Sequence, residues 1–163
     1  MSDDKDVQVG RIDMARAPTR RGTGYPPPYD APCRERYRYQ LGDAAGLTQF
    51  GVNRLHIPPG GWSSQRHWHG GEDEFVLVLS GEVVLVMEGG EQLLRAGDCA
   101  GFPAGAANGH HLQNRSGAEA VVLEVGSRRP DVDPVDYPDI DLTLPTRAGG
   151  YLHRDGRPYD AGK

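Results

Sequence analysis

The chain has 163 residues, enough for one ordinary domain that buries roughly 70% of its unfolded surface. Glycine (23) and proline (13) are abundant, aromatic content is 7%, and no long stretch of helical period appears. A net charge of −5 excludes the broad basic surface that phosphate-backbone binding needs, so nucleic acid is not an expected partner.

In chain order, residues 1–24 are polar and charged, with too few apolar groups to offset the entropy of ordering them, and read as a flexible tail. Residues 25–46 read as an extended arm and a first strand. Tyr25 to Pro32 (YPPPYDAP) has the proline density of a polyproline-like arm that can lie across a neighbour. Arg36 to Leu41 (RYRYQL) then alternates like a half-buried strand. Residues 47–127 alternate short strands with glycine turns, the pattern of an antiparallel sandwich or barrel. FVLVL and VVLVM are apolar on both faces, so their outer faces need cover. Residues 128–163 are acidic and proline-spaced and read as a C-terminal wrap ending in a small hairpin at Asp155-Gly156. The stretch from Asp131 to Asp141 is expected to be solvated.

Cys33 and Cys99 have neither metal nor redox spacing, which fits a reduced chain, and Cys99 is expected to be an inert buried thiol. The N-terminus lacks an apolar leader and no apolar run is long enough for a membrane helix, so the expected location is cytoplasmic, with no membrane partner.

The chemistry concentrates between Gly61 and Gly81. His67 and His69 sit two positions apart in a predicted strand, so both imidazoles share one face. After a turn at Gly70-Gly71, Glu74 opens the next strand and can return a carboxylate to the same point. Two imidazoles and a carboxylate leave coordination positions free for water or substrate. A closed structural zinc site would use thiolates instead. Four of the six histidines lie in two clusters, the second being His110-His111.

The first segment, G-x5-HxH-x4-E-x6-G, matches the first motif of the cupin family at every specified position, and Gly97 to Asn114 resembles the second, G-x5-PxG-x2-H-x3-N. The resemblance implies an all-β cupin jelly roll, a double-stranded β-helix barrel with extended N- and C-terminal arms. It implies one divalent metal ion per chain (Zn, Mn, Fe or Ni) on His67, His69, Glu74 and His110. Two extra residues follow Gly105, so His111 stays open as the alternative fourth ligand, and Asp73 as an alternative to Glu74, although only Glu74 keeps the spacing to Gly81. The HHLxN sequence and the C-terminal HxDGxPY segment (His153 to Tyr159) resemble small bacterial single-barrel cupins sometimes labelled sugar-phosphate isomerase.

Strand parity places Gln65 beside the ligands, with Arg66 and Trp68 pointing away. On Phe50 to Ile57 either face can line the pocket; if it is the face of Arg54 and His56, these can bind an anion and move protons. His56 and Gln65 are thus the candidate catalytic residues. Asp98 should only fix its turn, and Met87 and Phe102 should fill the barrel.

Three functions follow. A metal-dependent isomerase, epimerase or lyase would act on a sugar, sugar phosphate or hydroxy acid. A non-haem iron dioxygenase would use the same ligands with oxygen. A non-catalytic barrel would only bind a small molecule. Self-association as a homodimer is expected, to cover the apolar strand faces.

Overall fold

A computed structural model describes residues 7–146 and 149–159 of the chain. Among the described residues twelve strands are formed: β1 (Thr19–Arg21), β2 (Tyr37–Gln40), β3 (Phe50–Ile57), β4 (Trp68–His69), β5 (Glu74–Ser80), β6 (Glu82–Met87), β7 (Gly90–Arg95), β8 (Cys99–Phe102), β9 (His111–Gln113), β10 (Ala120–Ser127), β11 (Val135–Tyr137) and β12 (Leu142–Leu144). One helical turn, α1 (Leu41–Ala44), links β2 to β3.

A six-stranded sheet in the order β1-β2-β3-β10-β5-β8 is accompanied by a three-stranded sheet, β7-β6-β9. The principal core joins the two, with Leu55, Ile57, Val78 and Val122 from the first and Val83, Leu85 and Leu112 from the second. All paired strands run antiparallel. This is the expected jelly roll. The β5–β6 hairpin turns on Gly81, whose φ of +74° and close approach to Glu119 O leave no room for a side chain.

A third sheet, β12-β11-β4, gathers the C-terminal wrap onto the strand that carries His69. Around it lies a second core of Tyr25, Cys33, Val135, Tyr137 and Leu142. Several expectations change here. Thr19–Arg21, in the stretch read as a tail, is hydrogen-bonded along β2 as an edge strand. The proline-rich segment is not extended: it turns and enters a short 3-10 helix at Ala31–Cys33, because Tyr25 is anchored edge-on to Tyr137 of its own chain. Asp131 to Asp141 is not wholly solvated, since Asp133, Val135 and Tyr137 are buried. The buried thiol is Cys33, and Cys99 is exposed. The Asp-Gly turn does close a small loop, with His153 N–H donating to Arg157 O.

Asp98 accepts from Arg95 N and holds its turn, as expected. Met87 and Phe102 pack against the principal core. Arg66 points away from the histidines and makes a two-pronged bond to Asp139 at 2.7 and 2.6 Å, pinning the wrap to the barrel. No helix among the described residues is long and apolar enough to cross a membrane.

Candidate metal centre

The two histidine clusters meet through the backbone. His67 and His110 form an antiparallel bridge, His110 N–H donating to His67 O at 2.8 Å and His67 N–H to His110 O at 3.2 Å. Their rings are consequently 5.1 Å apart, and the rings of His67 and His69 5.0 Å. Glu74, the first residue of β5, points to the same spot. Its carboxylate oxygens lie 3.7 Å from His67 Nε2, 3.5 Å from His69 Nε2 and 2.8 Å from His110 Nε2.

Each ring is held from behind. His67 Nδ1–H donates to Gln65 O at 2.9 Å, with Ser64 Oγ at 3.3 Å. His69 Nδ1–H donates to Asp133 Oδ2 at 2.6 Å. His110 lies flat on Phe102, centroids 3.5 Å apart. Asp133 is fully buried and also accepts from Gly71 N and Glu72 N. That approach needs the Gly70-Gly71 pair: a Cβ on Gly71 would run into Val132 O, and one on Gly70 would meet Pro134 Cγ at 2.7 Å.

The electrostatics reflect three imidazoles around one acid. Burial pushes His67 down to about 4 against the pull of Glu74. Burial also opposes charge on His69, but hydrogen bonds and charge from Glu74 and Asp133 prevail and push it up to about 9. Burial disfavours a charged Glu74, yet His110 and His69 hold its carboxyl well below the usual range.

The ligand atoms of His67, His69 and Glu74 lie within 4.8 Å of one another, close enough to hold one metal ion. The donor chemistry fits, because the Nδ1 protons of His67 and His69 are committed to oxygens and their Nε2 atoms converge on Glu74, where an ion would take the place of a proton. Carboxylate-backed and carbonyl-backed imidazoles are the usual second layer of a metal site. A second set, His69, Glu72 and Asp133, also brings its ligand atoms within 4.8 Å of one another. There, however, Asp133 is occupied by two backbone donors and the His69 Nδ1 proton.

The remaining sequence-derived residues separate clearly. His111 turns its ring elsewhere, Nδ1–H donating to Ser64 O at 2.9 Å while Gln113 Nε2 donates to Nε2 at 3.0 Å, and burial lowers its pKa. Asp73 is exposed and caps Ala104 N. His56 is displaced from its expected role. The inward face of β3 carries the core residues Leu55 and Ile57, so His56 lies on the outer face, stacked on Tyr37 at 4.4 Å and bonded to Glu119 at 2.9 Å. Arg54 shares that face and sits over Tyr39. Gln65 also fails to reach the metal centre: the backbone leaves regular strand geometry before Trp68, and its Nε2 donates to Tyr29 O at 2.6 Å.

Two overlapping cavities of about 220 and 390 Å³ open from the histidines, sharing Arg20, Arg38, Ser64, His67, Glu74 and Glu124. None of Arg20, Arg38, Glu124 and Asp133 was singled out from the sequence. Only the inward parity of β1, β2 and β10 could have pointed to the first three, and nothing local marks Asp133.

A model of the cupin domain matches residues 53–126. A sugar phosphate isomerase of the cupin superfamily from Silicibacter pomeroyi is 42% identical, covering 93% of this chain and 98% of its own, with a TM-score of 0.87. The chain belongs to the cupin superfamily. A second structure, from Acidithiobacillus ferrooxidans and provisionally called a sugar phosphate isomerase, is 36% identical over 72% of this chain and 74% of its own, TM-score 0.67. The polyketide cyclase RemF from Streptomyces resistomycificus, 20% identical over 82% of this chain and 87% of its own at TM-score 0.63, shares the cupin fold. No curated protein matches the chain.

Proposed function

We propose that this cupin is a metal-dependent isomerase of small phosphorylated sugars, with His67, His69, Glu74 and His110 as ligands of one divalent ion. The observation that carries the reading is the convergence of three Nε2 atoms and the Glu74 carboxylate beside a polar cavity. The sugar-phosphate label belongs to the two more similar cupins and is adopted here as the substrate class.

A bound ion would polarise a carbonyl and an adjacent hydroxyl of the substrate. The chain must then supply a group that carries a proton between neighbouring carbons. Glu124 suits that role. It shares the inward face of β10 with Val122 and Gly126, the latter paired with Glu74, and its Oε2 is buried without a hydrogen bond. Glu124 would take the proton from the carbon beside the carbonyl and return it to the former carbonyl carbon. The hydroxyl proton passes from one oxygen to the other, so substrate and product are isomers. Ser64, which lines both cavities, is placed to bond a substrate hydroxyl. His111 has both ring nitrogens engaged and takes no part.

The test is solvent deuterium exchange into a panel of aldose and ketose phosphates, followed by NMR on metal-loaded protein. Exchange and isomerisation are expected, and Glu124→Gln should remove both while elemental analysis still finds one ion per chain. Oxygen consumption by the iron-loaded protein without isomerisation would overturn the reading in favour of a dioxygenase.

A further inference from the structure

The inward face of β1 and β2 carries arginines where a barrel ordinarily places apolar groups. Tyr37 and Tyr39 of β2 project outward around His56, so Arg38 faces inward with Leu55, its cross-strand partner on β3. Arg36 precedes it by one strand period and is only 7% exposed, its Nε donating to Gly22 O. Arg20 of β1 lies directly opposite Arg38 in register. Like charges at directly opposed positions repel, a cost the sheet bears without an evident structural return.

Acidic neighbours neutralise this row only in part. Glu124 pairs with Arg38 alone, at 3.7 Å and without a hydrogen bond, and Glu74 is surrounded by the three imidazoles. Among the described residues Arg20 makes no ion pair. All three arginines line the cavity of about 390 Å³ that also reaches His67, His69 and Glu74, a volume within the range of small-ligand pockets.

From this placement we infer that Arg20, Arg36 and Arg38 form an anion subsite that receives the phosphate of the substrate across the cavity from the metal centre. The inference deepens the isomerase reading and rests on it for the identity of the anion. Guanidinium forks match phosphate oxygens with two parallel donors, and a dianion would relieve the repulsion between Arg20 and Arg38. Phosphate at one end and ion at the other would fix which carbons of the sugar lie beside Glu124.

The experiment titrates inorganic phosphate, glucose 6-phosphate and glucose into metal-free and metal-loaded protein by calorimetry. Both phosphates should bind the metal-free protein, glucose should not, and Arg20→Gln or Arg38→Gln should weaken phosphate about ten- to hundredfold. Metal stoichiometry should be unchanged in both variants. Arg20 sits on an exposed edge strand, so Arg20→Gln decides the matter even if Arg38→Gln fails to fold. Phosphate binding that requires the metal and ignores Arg20→Gln would place the anion on the ion, overturning the subsite while leaving the metal centre intact. A subsite that survives in a protein taking up no metal would instead sink the isomerase reading alone.

Discussion

Asp133 and His69 are 64 residues apart in the chain and 2.6 Å apart in space. The contact commits the Nδ1 proton of His69 to Asp133, so Nε2 is the atom turned toward Glu74 that would meet an ion. Asp133→Asn keeps the shape but removes the charge behind the imidazole. Metal affinity should fall about 10- to 100-fold by competition with a chelator, with the fold retained in circular dichroism.

The two bonds that immobilise His111 favour His110 as the proposed fourth ligand. His110→Ala should lower metal affinity sharply. His111→Ala should leave metal stoichiometry intact and reduce stability by about 1–3 kcal/mol, because Ser64 O and Gln113 lose a buried partner. Equal metal loss in both variants, measured by elemental analysis, would contradict the geometry.

The candidate metal centre was legible in the sequence because the residues that converge there obey local rules: two-residue spacing of His67 and His69, a glycine turn before Glu74, and a fixed count from Asn114 back to His110. The jelly roll was legible for the same reason, as strands and glycine turns alternate at short spacing. What lay beyond reach depends on long-range packing. Residue parity assigned Gln65 to the pocket, but the chain there bends toward Tyr29, and no local signal records that. His56 could face either way until the burial of Leu55 and Ile57 showed which side of β3 is the core. Asp133 lay in a run whose composition reads as solvated, and only the pairing of β11 with β4 buries it.

Asn114 is 1% exposed and closes the barrel end with its side chain: Nδ2 donates to Ile57 O and Ala118 O, while Oδ1 accepts from Ser116 N and Oγ. Asn114→Leu has similar volume but leaves two carbonyls and a backbone amide without their partner. Chemical denaturation should show a loss of about 1–3 kcal/mol for each group left buried and unpaired. Because Asn114 is remote from Glu74 in the bonding pattern, one ion per folded chain should still bind; loss of metal at full stability would refute a purely structural role.

The outer face of the large sheet bears on assembly. Val52, Val125 and Phe75 lie side by side across β3, β10 and β5, and Leu123 and Leu77 pair in the row beside them. Phe75 and Leu79 are 42% and 44% exposed, so this band is covered only in part by the described residues of its own chain. A second copy related by a two-fold axis would lay the same band against itself, satisfying both chains with one self-complementary surface. A homodimer is therefore expected by light scattering, and Phe75→Glu with Leu79→Glu should shift the mass to the monomer without loss of the bound ion. A monomeric mass for the unaltered protein at high micromolar concentration would show that the band is tolerated in water.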